Sequence, residues 1–360
     1  MSDLNPSRRA ATLADVGREA GVSAMAASAV LNGAKTSSRI APATRDRILA
    51  AAERLQYRRN GAAHGLAARR LNTIGVASTL ASNELNQYFL EVFNGVIEAA
   101  AAEGQNTTVF ALPDWQAGAA RIAGLCDGRI DGLLLLAPLM DAATAAAMLP
   151  PHVPFVAVHA NHALAGVPNV ESDEEAGAYR MVRHLLELQH WRILHVGGPT
   201  WSLGARRRAE GWRRAHADAG IAQPEDHVLH TDYSIEAGRR ALEDWLQAHR
   251  GRELPQAVFA GSDAIALGCL EALAARGLRV PEDLSVVGFD DTLVARSAHL
   301  ATVRQPLREM GHRAVQLLVG RIEARHAGRP DPAPPGVVLA TELVPGRSLG
   351  APRAVPLAIA

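Results

Sequence analysis

The segment Thr12-Leu13-Ala14-Asp15-Val16-Gly17-Arg18-Glu19-Ala20-Gly21-Val22-Ser23, with Val30-Leu31-Asn32-Gly33 behind it, constrains this chain more than any other. It reads as a short helix, a tight turn and a second short helix. Gly21 supplies the left-handed conformation that the turn needs. Ser23 is a natural cap for the second helix, and Gly17 leaves room for two helices to cross. Val16, Ala20, Val22, Ala27, Val30 and Leu31 form an apolar seam between them. This layout is a helix-turn-helix, a shape that lays its second helix in a DNA major groove.

Charge supports that reading. The 360 residues carry no net charge, yet residues 1–70 hold 12 Lys and Arg against 5 Asp and Glu. The remainder holds 25 against 32, so a basic head sits on an acidic body. Such a head suits contact with phosphate. A third helix over 44–55 presents Ile48, Ala51, Ala52 and Leu55 to the first two. Residues 59–71 read as a short, marginal linker helix.

From residue 72 the pattern changes to short β-rich runs alternating with longer amphipathic ones. Strands are expected at 74–77, 107–112, 132–137, 155–159, 193–197, 257–260 and 284–289, and a final one at 337–343. Helices are expected at 88–103, 174–189, 205–219, 235–248, 263–276 and 307–323. The alternation argues for parallel sheets covered on both faces. About 270 residues is long for one such sheet, so two lobes are expected, with a ligand cleft at the carboxyl ends of their strands. The last dozen residues lack periodicity and read as a tail.

No stretch of about 18 apolar residues and no signal-peptide core is present. The two cysteines, Cys126 and Cys269, lack metal-like spacing and read as reduced thiols of a cytoplasmic protein. There is no phosphate-binding Gly-Lys-Ser/Thr loop, no Gly-x-Ser-x-Gly elbow and no paired metal ligands. The chain therefore does not read as an enzyme, and no cofactor or metal is expected. A stand-alone sugar-binding protein would lack the basic head.

These segments together resemble the lactose/galactose repressor (LacI/GalR) family of bacterial transcription factors over residues 12–347. The carriers are the helix-turn-helix residues above and Ala50-Ala51-Ala52-Glu53-Arg54-Leu55-Gln56-Tyr57. Further along come Ile74-Gly75-Val76, Arg208 with Gly211-Trp212, Val280 through Asp291, and Thr341-Glu342-Leu343. The resemblance implies an all-α helix-turn-helix head over 12–58 and a hinge over 59–71. It also implies a two-lobed, periplasmic-binding-protein-like α/β core of parallel sheets over 72–347. Lobe 1 is expected at about 72–171 and 304–335, and lobe 2 at about 172–303 and 336–347, with a tail at 348–360. A homodimer on a pseudo-palindromic double-stranded DNA operator is implied too. Its operator affinity would be set by a small effector, a sugar or sugar derivative. Repression is the family's usual mode.

On the head, Ala24, Met25 and Ala29 stand where the family reads base edges. Arginine is common at the Ala29 position, so this chain departs. Alanine and methionine can contact thymine methyls but cannot make bidentate bonds to purines; the alternative is that Ala24 and Ala29 only leave space. Thr12, Ser23, Ser28 and Asn32 are the cap and phosphate positions. Lys35 and Arg39 lie on a loop that could reach phosphates or stand free in solvent. In the hinge, Asn60, Ala63 and Leu66 match the family's hinge helix, where a leucine from each subunit wedges into the central base step. The alternative is that Leu66 packs on its own core.

In the cleft, Arg208 matches the family's ligand-clamping arginine, with Arg206 and Arg207 expected to face solvent. Asp290 matches its sugar-binding aspartate, or else serves as a loop or cap residue. Tyr233 stands where an aromatic often stacks on ligand. His159 and Ser262 replace a common aspartate and asparagine. Tyr88 and Phe89 could wall the pocket or pack in the core, and Trp201 could cover the ligand.

Overall fold

The computed structural model describes residues 10–33, 40–58, 70–79, 87–332 and 335–360. They form two units, one up to Asn72 and one from Thr73.

The first unit is built on local signals. Helix α1 (Leu13–Ala20) opens with a reciprocal cap. Thr12 Oγ1 accepts from the Asp15 amide at 3.3 Å, and the Asp15 carboxylate accepts from the Thr12 amide at 2.9 Å. Gly21 closes the helix at φ 67°. Ser23 Oγ then accepts from the Ala26 amide at 3.1 Å and starts α2 (Ala24–Asn32). A Cβ on Gly17 would stand 2.8 Å from the Val22 carbonyl, so the close crossing does require glycine. Helix α3 (Pro42–Arg54) begins two residues before the expected start, because Pro42 is pre-set for the first helical turn. Val16, Ala20, Ala27, Ile48, Ala51 and Ala52 make the core.

The second unit contains two six-stranded sheets. Lobe 1 holds β1 (Thr73–Thr79), α4 (Gln87–Ala102), β2 (Asn106–Leu112), α5 (Trp115–Leu125), β3 (Gly132–Leu136), α6 (Ala142–Met148), β4 (Phe155–Val158) and β5 (Asn169–Ser172). Lobe 2 follows with α7 (Glu174–Glu187), β6 (Ile193–Gly197), α8 (Leu203–Asp218), β7 (Val228–His230), α9 (Ile235–Ala248), β8 (Ala257–Ala260), α10 (Asp263–Ala275), β9 (Ser285–Asp290), α11 (Leu293–Ser297) and β10 (Ala301–Arg304). The chain returns to lobe 1 as α12 (Leu307–His326) and β11 (Val337–Leu339), then ends in lobe 2 with β12 (Glu342–Val344).

The sheets run β2-β1-β3-β4-β5-β11 and β7-β6-β8-β9-β10-β12. Every pairing is parallel except β12 on β10. Both orders are doubly wound, which puts the carboxyl strand ends where ligands bind such sheets. Apolar layers cover both faces of each sheet: Leu134, Val156 and Val315 on one side of lobe 1, Leu133, Leu135 and Phe155 on the other.

Three expectations are corrected. The single strand at 337–343 is two strands in different sheets. Val337–Leu339 pairs with β5, so it belongs to lobe 1 and not lobe 2. The break lies at the third lobe crossover, where Asp173 N donates to the Leu339 carbonyl and Thr341 N donates to Asp173 Oδ1 at 2.7 Å. The second crossover is at Gln305-Pro306, because Arg304 still pairs within lobe 2. Finally, 348–360 is not a loose tail. Ser348 is buried between β9 and β10, Ile359 enters the lobe 2 core, and Glu253 bridges to Ala358.

Cys126 and Cys269 are buried free thiols, pushed up by burial to about 11 and about 12, which leaves both unreactive. Among the described residues no helix is long and apolar enough to cross a membrane.

Candidate functional site

Two surfaces matter. The first is the outer face of α2. Ala24, Met25, Ser28, Ala29 and Asn32 recur on one side of the helix, opposite the fully buried Ala27. Met25 is 72% exposed, so an apolar side chain projects where a partner would meet it. Asn32 Nδ2 donates to Ser28 Oγ at 3.3 Å, and its Oδ1 has no partner among the described residues. Thr12 and Ser23 are committed as caps; the Thr12 hydroxyl donates to Asp15 at 2.7 Å. Asn60, Ala63 and Leu66, with Lys35 and Arg39, lie outside the described residues.

The second surface is the seam between the lobes, where a chain of polar contacts runs from lobe 1 to lobe 2. It starts at His159, just past β4, which is held at φ 49°. The Ser172 amide donates to His159 Nε2 at 3.1 Å, so Nε2 carries no proton. Nδ1–H then donates to the Tyr88 hydroxyl. Burial lowers the His159 pKa and keeps the ring neutral. This leaves the Tyr88 hydroxyl proton free for another acceptor. Phe89 meets Tyr88 edge-on at 5.2 Å and packs into the core, so it supports the wall.

The chain continues through the crossovers. Ser172 Oγ donates to Gln305 Oε1 at 2.5 Å, and Gln305 Nε2 donates to Asp290 Oδ1 at 2.6 Å. Asp290 ends β9 with φ 126° and stands 3.9 Å from Arg208 Nη2. Arg208 Nη2 donates to Glu174 Oε1 at 2.8 Å, and Nη1 donates to the Gly261 carbonyl. The guanidinium lies over the Phe289 ring at 4.3 Å, with Tyr233 at 5.9 Å. Tyr233 also shares a 2.9 Å hydrogen bond with Ser202.

Burial alone, the largest single influence, would raise the Glu174 pKa, but the neighbouring groups together, Arg208 foremost, outweigh it and the net shift is downward. Burial pushes the Asp290 and Asp263 carboxyls upward. Ser262 Oγ accepts from the Ile265 amide at 3.2 Å, so it caps α10 and only its own proton remains to offer.

Six expected residues thus meet along this seam: Tyr88, Phe89, His159, Arg208, Tyr233 and Asp290; Ser262 directly follows Gly261, whose carbonyl accepts from Arg208. Trp201 is not among them; it is 53% exposed on the surface loop before α8. Arg207, expected to face solvent, instead bridges the lobes to Glu171 at 3.0 and 3.2 Å. Glu174, Ser172, Gln305 and Asn161, whose Oδ1 accepts the Leu203 amide at 2.8 Å, were not singled out from the sequence. A hollow of about 480 Å³ opens beside the seam, lined by Leu164, Val167, Asn169, Glu171, Leu203 and Arg207. That volume suits a small molecule.

Comparison with known proteins covers both units. Residues 12–60 match bacterial regulatory proteins of the lacI family, and residues 182–349 match the periplasmic binding protein-like domain. The HTH-type transcriptional regulator CelR of Thermobifida fusca is 33% identical over 327 residues, 88% of this chain and 93% of that protein. A CelR–cellobiose complex superposes with TM-score 0.68 at 30% identity, covering 94% of this chain and 99% of the other. The Lac repressor dimer bound to operator and the anti-inducer ONPF superposes with TM-score 0.78 at 26% identity and the same coverage.

Proposed function

This chain belongs to the lacI family of bacterial regulatory proteins, and from that premise we propose how its two surfaces are joined in one regulator. It is a DNA-binding transcriptional regulator of the repressor class, with a helix-turn-helix head and an effector-binding core, and it is not an enzyme. Two copies act together in the cytoplasm on a pseudo-palindromic operator, as the Lac repressor dimer does on its own operator. The α2 face reads the major groove by apolar contact from Met25 and by DNA shape. Ser28 and Asn32 position the backbone. Asn60, Ala63 and Leu66 serve the hinge, with Leu66 as the wedge.

A sugar or sugar derivative binds in the seam. Arg208 and Asp290 engage its hydroxyls, Tyr88, His159 and Tyr233 line the site, and ligand favours one packing of the lobes over another. Operator affinity follows by linkage. The observation that carries this reading is the continuous polar chain Tyr88–His159–Ser172–Gln305–Asp290–Arg208. It passes through the crossover residues, so a ligand that touches either end must bear on the lobe connections.

The test is selection of bound molecules from a random double-stranded DNA pool at two salt concentrations. Enrichment of a pseudo-palindrome with a deformable central step supports the reading. Retention at low salt only, with no enriched motif, refutes sequence-specific readout and leaves a ligand-binding protein.

A further inference from the structure

The charges in the seam are paired in a way that limits what can bind there. Arg208 is buried and its terminal nitrogens are committed, Nη2 to Glu174 and Nη1 to Gly261, while Nε has no partner among the described residues. Glu174 is fixed as an ion. A Cβ on Gly204 would stand 2.3 Å from its Oε1, so glycine there makes room for the carboxylate against the first turn of α8. The positive end of that helix and Arg207, 3.7 Å from Oε2, both favour the charged form. Asp290 adds a second carboxylate 3.9 Å from the same guanidinium. Arg207 is itself bound to Glu171. One buried arginine therefore faces two buried carboxylates, and the neighbouring cation is already paired.

A phosphate or carboxylate entering this site would have to displace Glu174 or stand beside two like charges. An uncharged hydroxyl can donate to Asp290 and accept from Arg208 Nε with neither penalty. We infer that the seam selects uncharged polyhydroxylated ligands over phosphorylated or carboxylated ones, and that Glu174 is the residue setting this choice. The inference rests on the seam being the effector site, as proposed above.

The test uses the full-length protein and needs no natural ligand. Sulfate, titrated against chloride at matched ionic strength, is followed by thermal shift and calorimetry. Wild type shows no saturable sulfate binding. Glu174→Gln frees the guanidinium and gains it, at least about tenfold tighter than any wild-type signal, and the Glu174→Gln/Arg208→Gln pair loses it again. In parallel, wild type is compared with glucose, cellobiose, glucose 6-phosphate and glucuronate. Saturable sulfate binding by wild type overturns the inference. So does a preference for the acidic sugars, or a folded Glu174→Gln protein with no gain. If Glu174→Gln fails to melt cooperatively, the wild-type sulfate titration alone decides. Sulfate gain with no sugar binding would refute the sugar reading while leaving the charge selection intact.

Discussion

Replacing Arg208 by methionine removes the one cation that, among the described residues, lies within 4 Å of both buried carboxylates. At an effective dielectric of about 20, its attraction to Glu174 at 2.8 Å is about 6 kcal/mol, and to Asp290 at 3.9 Å about 4 kcal/mol. Relief of the guanidinium's own desolvation offsets much of this. Breaking a buried pair from one side leaves a net loss of about 3–5 kcal/mol. For a core of this size that lowers Tm by roughly 6–20 °C at pH 7.5. The sign of the pH dependence is the sharper test. In wild type the Glu174 pKa lies below its unfolded value, so its contribution is lost as pH falls. In Arg208→Met the Glu174 carboxyl rises above its unfolded value and Asp290, already raised to about 6 by burial, rises further, so the folded state binds the extra protons and acid restores stability. The gap between variant and wild type should therefore narrow between pH 7.5 and 5, and adding Glu174→Gln should recover at least about half of it. Melting curves across that range measure this. A gap under about 1 kcal/mol, or one that widens in acid, would refute the charge accounting.

Two further predictions follow from other parts of the molecule. Met25→Ala should weaken binding to a selected operator about fivefold, the equivalent of about 1 kcal/mol of apolar contact, and leave Tm unchanged because the side chain is 72% exposed; anisotropy titration and melting check both. His195 is fully buried, its Nδ1 bound to the Phe259 carbonyl at 2.9 Å and its Nε2 without a partner among the described residues. Burial, with charge from His230, Arg213 and Arg208, pushes it down to about 4. The unfolded chain then binds the extra proton, so this residue removes about 3 kcal/mol of stability as pH drops from about 6.5 to 4. His195→Gln should flatten that share of the slope in denaturant titrations at stepped pH.

What the sequence revealed depended on how local each signal was. Thr12, Gly21 and Ser23 act within three residues of themselves, so the head could be read almost helix by helix. The apolar runs at 132–136 and 257–260 announced buried strands for the same reason. β5, β7 and β10 mix polar and apolar residues over three or four positions and carry no period. The Ala-rich α5 and α6 offer little contrast between faces. The split between β11 and β12 was invisible because sheet membership is a non-local property; the run Val337–Val344 holds no glycine or proline at the point where the chain changes lobes. Arg208 and Asp290 could be found from family motifs and strand ends. Glu174 could not, because an acidic residue in a first helical turn is ordinary. Its partner lies 34 residues away. Gln305 and Ser172 matter only because two crossovers bring them together.

The central claim is that the seam and the head are energetically coupled. The direct measurement is the affinity of one selected operator with and without saturating sugar, together with the affinity of that sugar with and without saturating operator. The account predicts the same factor in both directions, roughly 5- to 150-fold for a coupling of about 1–3 kcal/mol. It also predicts that Asp290→Asn, which keeps the shape but not the charge, reduces both factors together. A sugar that binds the core at full affinity while leaving operator affinity unchanged would contradict it.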